Sequence, residues 1–406
     1  MQYRQLGKID LRIPLIRSKI VIFLTLGVIL LAGVLFFIFL KTNLTSKLPS
    51  SLAVPIFKIV SAVPQINSKC PDGFILVPNN PLYQTSDFCV MKYDAKCADT
   101  SSLQVGLQPA GGSACSGGMK GIAEGVYKNN GKNCACVGNK KVVSTSSGFP
   151  ITFIAESDKT SNNAKSYCQL NGWHLMTNAE WMTIARNVEA VPENWCNRDG
   201  TGCGFPLGTL TKILANGHND NMGEASASAN THGALIASND TEPCYGTTID
   251  GSNKCGGKNS QKRTLMLSNG QIIWDFAGNV WQWIDAEVMR KDQPKSYTGK
   301  KLDTGWKWSD FTPGALPTVI TDNGQIPALG YDSFRPSSPN WNSNNGVGRV
   351  YHYSNAQDNN TTLYTFIRGG NWRHGYDSGA FTIHMSPTAN QENIDDVGFR
   401  CVFEVK

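Results

Sequence analysis

The residue types best suited to chemistry lie near the C-terminal end of the sequence, between residues 366 and 403. Residue types that usually serve structure mark its two ends: Gly369, Gly370 and Trp372 at one end and the Gly-Phe-Arg triplet 398–400 at the other. Between them stand imidazole, phenol, guanidinium, carboxylate and hydroxyl groups with little periodic order. A rigid frame around diverse side chains of this kind is typical of a ligand-binding surface. We therefore place the function in this stretch.

Catalysis is a weaker interpretation of the same residues. His374 and His384 could act as acid and base or bind a metal ion. No third ligand and no orienting carboxylate can be identified for them, so a contact role is favoured. A second ligand-like group, His218, Asp220, Asn221 and Glu224, lies in segment 216–224. Its spacing matches neither an EF-hand nor an HExxH motif, which favours a polar surface loop.

Cysteines supply the next chemical signal. All 12 lie beyond residue 69, which indicates an oxidising compartment. Short separations favour the local disulfides Cys196–Cys203 and Cys244–Cys255, and also suggest Cys70–Cys89. Zinc binding is the alternative, but the sequence has no CxxC pair and only one close pair, Cys134-Ala135-Cys136, so disulfides are favoured.

Tryptophans form a further candidate group. Trp306, Trp308 and Trp341 lie in the loop-rich region 300–345. Buried core aromatics are the default interpretation. The alternative is that one of them is exposed and stacks on a sugar ring.

An apolar run near the start of the sequence is the first element to interpret. Residues 20–40 carry no charge over 21 positions, enough to cross the hydrocarbon core of a membrane. A cleaved signal peptide is the alternative, but this run exceeds the usual apolar region. Basic residues dominate the tail 1–19, so we expect a cytoplasmic tail, a single-pass anchor in the cell membrane and an extracytoplasmic C-terminal domain. Residues 41–69 are expected to form a linker.

Charge excludes one class of partner. Of the 37 basic and 31 acidic residues, seven basic and one acidic lie within residues 1–47. The remaining chain is therefore neutral and carries no electrostatic footprint for nucleic acid.

Hydrophobic patterns predict the elements of the C-terminal domain, 70–406. Thr177 and Glu180 form a capping box before an amphipathic helix at 178–190, and a shorter helix is expected at 162–171. Strands are expected at 74–78 and 88–93, and a hairpin joins 263–267 to 271–274 through Asn269-Gly270. A Cys-rich insertion occupies 98–147. Helices near the front and strands toward the end predict an α+β domain, preceded by one transmembrane helix.

Several segments, taken in order, resemble the formylglycine-generating enzyme (sulfatase-modifying factor) family, which has a C-type lectin-like fold. They are FILVPNN at 74–80, FCVMKYDAKC at 88–97, HLMTNAEWMTIAR at 174–186, WDFAGNVWQW at 274–283, FIRGGNW at 366–372 and GFRC at 398–401. The resemblance implies this fold over roughly 70–405, with 98–147 and 285–345 poorly covered. These segments form four motifs, namely the opening strands, the helix, the WDFAGNVWQW motif and the closing strands, and four motifs in the family's order are specific for the fold.

The enzyme activity is not implied. The family's oxidase chemistry uses a cysteine pair just after the RGGSW-like motif, where soft thiolates hold copper(I). This chain has no cysteine at 373–378, so no copper is expected and an enzyme is disfavoured. The resemblance to lectin-like folds also implies a disulfide between Cys168 and Cys401.

A closer likeness is to lectin-fold proteins diversified by retroelements, whose variable region ends near a GFR motif. The frame of those proteins is similar to Gly369–Trp372 and to Gly379-Ala380-Phe381 here. By position, the likeness implies a set of ligand contacts: Arg373, His374, Tyr376, Asp377, Thr382, His384, Ser386, Asn393 and Asp395. One departure is that this stretch is not dominated by Asn and Ser.

The motif at 274–283 also offers oxygen ligands for a structural calcium ion. Asp275 and the carbonyl groups of Gly278 and Val280 could bind Ca²⁺, because hard cations take oxygen ligands. The enzyme family uses this motif in that way, with a glutamate where this chain has Gln282. The alternative is a plain turn between core tryptophans.

The sequence thus predicts a membrane-anchored display or adhesion protein that binds a protein or glycan on another surface, a candidate target of a diversity-generating retroelement. Two alternatives remain: a divergent enzyme of the formylglycine-generating family and a structural protein of the cell envelope.

Overall fold

The computed structural model of the protein describes most of the chain from residue 70 onward. The described residues are 70–99, 140–152, 154–157, 163–198, 200–204, 211–219, 234–247, 255, 261–298, 301–312, 315, 331–355, 357–391, 394 and 396–405. These residues contain two α-helices and 18 short strands in sequence order.

A four-stranded sheet brings the two ends of the described chain together. Its strands are β1 (Phe74–Val77), β2 (Phe88–Met91), β5 (His174–Leu175) and β18 (Cys401–Glu404), in the order β1-β2-β18-β5. All neighbours are antiparallel. Strand β18 therefore lies between β2 and β5, which come much earlier in the sequence.

A six-stranded mixed sheet forms the other layer. Its strands are β10 (Trp281–Met289), β13 (Gly305–Ser309), β14 (Val350–Ser354), β15 (Leu363–Arg368), β16 (Ile383–His384) and β17 (Val397–Phe399), in the order β13-β14-β16-β15-β10-β17. The pairs β10–β17 and β14–β16 are parallel. Residues from the C-terminal stretch thus occupy three of the six strands.

Four two-stranded ladders complete the strands. They are β3 (Ala95–Asp99) with β4 (Lys140–Ser144), β6 (Trp195–Cys196) with β7 (Ile213–Leu214), β8 (Thr264–Met266) with β9 (Ile272–Trp274), and β11 (Tyr297–Thr298) with β12 (Lys301–Leu302). The third ladder confirms the predicted hairpin.

The longer helix confirms the capping-box prediction. Helix α2 (Asn178–Ala190) follows α1 (Ala164–Leu170). At its start the Glu180 N–H donates to the Thr177 hydroxyl at 3.3 Å, and the Thr177 N–H donates to the Glu180 carboxylate at 2.8 Å. The apolar face of α2 is buried, and Trp181 stacks on Phe276 with ring centroids 4.0 Å apart. The residues of this face belong to the first of the two main core clusters.

Four disulfides join described cysteines: Cys70–Cys89, Cys168–Cys401, Cys196–Cys203 and Cys244–Cys255. These are the pairs expected from short separations and from the lectin-like resemblance. Cys168–Cys401 ties α1 to β18 and packs in the second core cluster.

The predicted fold class is wrong in two respects. The described chain is mostly sheet, with helices of seven and 13 residues only, instead of α+β. Between residues 196 and 362 the strands have only two to five residues, except for the nine-residue β10, and strands this short leave almost no period-2 signal.

The predicted membrane anchor and cell-membrane localisation are also corrected. None of the helices in the described residues is both long enough and apolar enough to span a bilayer. A single-pass anchor is therefore not supported. Residues 20–40, on which that expectation rested, lie outside the described residues.

A buried ionic network around Arg400 links the four-stranded sheet to the six-stranded sheet. The Arg400 guanidinium donates to Asp94 Oδ1 at 2.7 Å and to Gln282 Oε1 at 2.8 Å, and also to the Met91 carbonyl at 3.0 Å. Neither Arg400 nor Asp94 has appreciable solvent exposure. Burial raises the pKa of Asp94 to about 6, against the effect of Arg400. Each charge therefore depends on the other.

Removing Arg400 should destabilise the fold strongly. In Arg400→Met the Asp94 carboxylate stays buried without its cation, which should cost about 3–5 kcal/mol in the free energy of unfolding. Urea denaturation measures this change. The double variant Asp94→Asn/Arg400→Met should lose less than the single variant, because the Asp94 charge is removed together with its hydrogen-bonded partner. Equal losses in both would contradict the charge-pair explanation.

Candidate ligand-binding site

The site begins at a tight turn after β15. Gly369 and Gly370 have φ angles of +88° and +80°, a backbone region that favours glycine. A Cβ on Gly370 would lie 2.3 Å from the Ser378 hydroxyl oxygen, so no other residue fits the space. The turn directs the chain into a short 3-10 helix, Gly375–Asp377, and then into β16.

Asn371 organises this turn from a fully buried position. Its Oδ1 accepts from the Arg373 N–H at 2.8 Å and from Nδ1 of His374. Its amide nitrogen donates to Asp396. Because Nδ1 of His374 is the donor in this pattern, Nε2 is the acceptor nitrogen of that ring. One buried amide therefore fixes the tautomer of a half-buried histidine.

The two histidines of the C-terminal stretch lie against the same tryptophans. Ring centroids of His374 and His384 are 5.2 and 5.5 Å from Trp281. They are 5.8 and 5.7 Å from Trp308. His384 also stacks on Tyr351 at 4.3 Å. Both imidazoles are thus part of an aromatic cluster.

The cluster continues along β13 and β14. Trp306 lies 5.7 Å from Tyr351, 5.4 Å from Tyr353 and 5.4 Å from Tyr364. Trp308 lies 5.1 Å from Tyr351, which connects the two groups. We call the whole set the aromatic face: Trp281, Trp306, Trp308, Tyr351, Tyr353, Tyr364, His374 and His384. Trp281 is its buried base, and the other seven side chains are partly exposed.

Both imidazoles of the aromatic face are neutral at neutral pH. Burial among the indoles, followed by the nearby charge of Arg373, lowers the pKa of His374 to about 4. Burial, followed by His374, lowers the pKa of His384 to about 3. Neutral imidazoles present aromatic surface and hydrogen-bonding nitrogens instead of charge.

Two predicted contact residues are buried. Asp377 pairs with Arg349 at 3.0 Å, and burial raises its pKa to about 6. The Thr382 hydroxyl donates to the Asp377 carbonyl. Neither side chain is exposed to solvent. The two side chains therefore support the turn and do not form part of a contact surface.

Other predicted contacts remain partly exposed. Arg373 packs over the Trp372 ring at 4.9 Å and lies 3.5 Å from Asp396. Tyr376 and Ser386 are also partly exposed, and the Ser386 hydroxyl is 3.2 Å from Nδ1 of His384. Asn393 and Asp395 lie outside the described residues.

Sequence reasoning missed the tyrosines of the aromatic face. Their signal is the period-2 alternation of two short segments, GWKWS at 305–309 and VYHYS at 350–354. Each segment places two aromatic residues on one side of its strand. The strands pair so that Trp306 faces Tyr353 and Trp308 faces Tyr351. Alternation over five residues is too short to identify a shared face without the pairing.

The residues proposed for calcium do not fit a calcium ion. Both carboxylate oxygens of Asp275 accept from Arg263, at 2.7 and 2.6 Å. The Gln282 side-chain oxygen accepts from Arg400, and its amide donates to the Asp275 carbonyl at 2.9 Å. Two guanidinium groups thus bind the side-chain oxygen atoms of Asp275 and Gln282, the side-chain ligands proposed for the cation. Among the described residues, no group of three or more His, Cys, Asp or Glu side chains could hold a metal.

Calcium should therefore have little effect on stability. A stabilising ion present at 100 times its Kd adds about 2.7 kcal/mol and raises the melting temperature by several degrees. Thermal unfolding in millimolar CaCl₂ and in EDTA should give melting temperatures within about one degree of each other. A calcium-dependent rise of several degrees would restore the calcium hypothesis.

The remaining candidate groups are placed as follows. Asn216 to Asn219 are fully buried, so this half of segment 216–224 is not a surface loop, and residues 220–224 lie outside the described residues. Trp341 packs on Trp195 at 4.5 Å, next to the first core cluster. All nine described cysteines are disulfide-bonded.

Comparisons with known proteins give weak similarities. No protein-family model matches the chain, and no curated protein matches it, so the family resemblance has no support from them. The solved Major Tropism Determinant U1 variant is 10% identical, with a TM-score of 0.28 over 82% of this chain and 53% of that chain. The P3c variant is 11% identical, with a TM-score of 0.26 over the same shares. The chain spans about half of each neighbour, and such TM-scores do not establish a shared fold.

Proposed function

We propose that the protein is a non-catalytic ligand-binding protein of the adhesion or display type. Its contact surface is the aromatic face with Arg373 and Tyr376 at the border. The observation that carries this proposal is the set of partly exposed rings gathered on one sheet. Contiguous exposed apolar surface of this kind marks binding sites, and Trp, Tyr and Arg dominate binding hot spots.

Rigidity supports the same proposal. Three features hold the turn that carries Arg373 and Tyr376. They are the hydrogen bonds of Asn371, the ion pair between Arg349 and the buried Asp377, and glycines at positions where a Cβ would clash. Side chains presented by a preorganised frame lose little conformational entropy on binding.

An enzyme of the formylglycine-generating type is the rival. Its chemistry needs reactive thiols, whereas segment 373–378 lacks cysteine and the nine described cysteines are all in disulfides. Thiol titration of the unfolded, unreduced protein separates the two ideas. Twelve oxidised cysteines favour the binding function, and a reactive pair favours the enzyme.

Binding should depend on the partly exposed border residues. Tyr376→Ala and Arg373→Ala should each weaken binding by roughly ten-fold, about 1.4 kcal/mol, because hot-spot truncations cost 1 kcal/mol or more. The probes are ligands selected from a random-peptide display library and from a printed glycan array, with affinity measured by biolayer interferometry.

Trp341→Ala is the matched control. This partly buried tryptophan packs on Trp195 in the first core cluster and does not belong to the aromatic face. It should leave affinity unchanged. Unaltered binding in both border variants, with normal thermal transitions, would refute the assigned surface.

The diversification hypothesis makes a separate prediction. If a retroelement diversifies this gene, substitutions across the source population should concentrate at the partly exposed positions Arg373, His374, Tyr376, His384 and Ser386. The buried residues Asp377 and Thr382 should remain fixed, because their side chains hold the turn. Deep sequencing measures this, and even variation along the gene would remove the hypothesis.

A further inference from the structure

The outward positions of three neighbouring strands carry a single chemical type. On β13, β14 and β16 these positions are Trp306, Trp308, Tyr351, Tyr353 and His384. All five are aromatic and partly exposed. Protein interfaces are likewise enriched in Trp and Tyr, but they combine these rings with Met and Arg and surround them with a polar rim. A surface of rings alone favours a different class of ligand.

Each ring of this group also carries a polar atom at its edge. Indole N–H groups donate, phenol hydroxyls donate and accept, and neutral imidazoles do both. A ligand that matches such a surface has apolar C–H planes surrounded by hydroxyl groups. Pyranose sugars have this character, and ring faces with a few polar groups fix their orientation.

The charges around the outer rings are neutralised within the protein. Arg290 forms a two-pronged pair with Asp358, with both distances 3.0 Å, and packs over Tyr353 at 4.4 Å. Lys307 pairs with Asp303 at 2.6 Å. The histidine is uncharged at neutral pH. An acidic or basic ligand would therefore find no free counter-charge among these residues.

The size of the group indicates more than one sugar unit. Neighbouring ring centroids are 5.1 Å apart for Trp308 and Tyr351 and 5.7 Å apart for Trp306 and Tyr351. Trp306 and Trp308 are two residues apart along a strand, about 6.8 Å. The row is longer than any single ring and suits an extended chain.

From these observations we infer that the outer part of the aromatic face, centred on Trp306, Tyr351 and Tyr353, binds a neutral oligosaccharide. This inference rests on the proposed function and specifies its ligand class. The rings stack on the sugar faces, and the phenol and imidazole groups bond the hydroxyls.

The test uses the full-length protein and a printed array of neutral glucans, mannans, galactans and N-acetylglucosamine oligomers, with sialylated and sulfated counterparts. Neutral oligosaccharides should bind, and Trp306→Ala and Tyr353→Ala should each weaken binding ten-fold or more. Trp306→Phe, which keeps a ring, should retain most of the affinity. Trp341→Ala should bind like the unaltered protein, and thermal transitions should show that every variant folds.

Three outcomes would overturn the inference. Binding only to acidic glycans would show charge recognition, and glycan binding unaffected by Trp306→Ala and Tyr353→Ala would place the site elsewhere. Peptide ligands that need Tyr376 and Arg373, without any glycan binding, would preserve the proposed function and refute only the ligand class. If neither glycans nor peptides bind the aromatic face, both proposals are refuted.

Discussion

The buried pair of Arg400 and Asp94 connects the parts of the protein on which the site depends. Arg400 also contacts Gln282, the neighbour of Trp281 in β10. Trp281 is the base on which both histidines of the aromatic face rest. A buried charge is stable only beside its partner, so loss of either Arg400 or Asp94 should disturb this region. The network thus supports strand β10, which carries the buried base of the aromatic face.

The two sides of β14 show how a strand can specify its own register. Tyr351 and Tyr353 point outward, whereas His352 is fully buried and bonded at both ring nitrogens, to the Pro294 carbonyl at 2.7 Å and the Ser309 hydroxyl at 2.9 Å. Burial lowers the pKa of His352 to about 4, so the ring stays neutral. A slip of one residue would expose this bonded histidine and bury two tyrosines. The outer aromatic positions are therefore fixed by polar contacts beneath them.

Local signals predicted local structure well. The capping box at Thr177, the Asn269-Gly270 hairpin and the short-range cysteine pairs all depend on residues close in sequence, and each is present. The fold class and the full site depended on distant pairings. No local pattern brings Trp306 to Tyr353 or identifies Asp377 as a buried partner of Arg349. The nine-residue strand β10 was recognised only as a motif, because tryptophans and acidic residues obscure its alternation.

The placement of β18 also constrains when the protein can mature. Residues 401–404 supply an inner strand of the four-stranded sheet, and Cys401 bonds a cysteine 233 positions earlier. During synthesis neither the complete sheet nor this bond can form until residues 401–404 have left the ribosome. Such distant pairing slows folding and exposes the incomplete edges of β2 and β5 meanwhile. A chain that is cut before residue 401 lacks both the inner strand and its cysteine, so it cannot complete the four-stranded sheet.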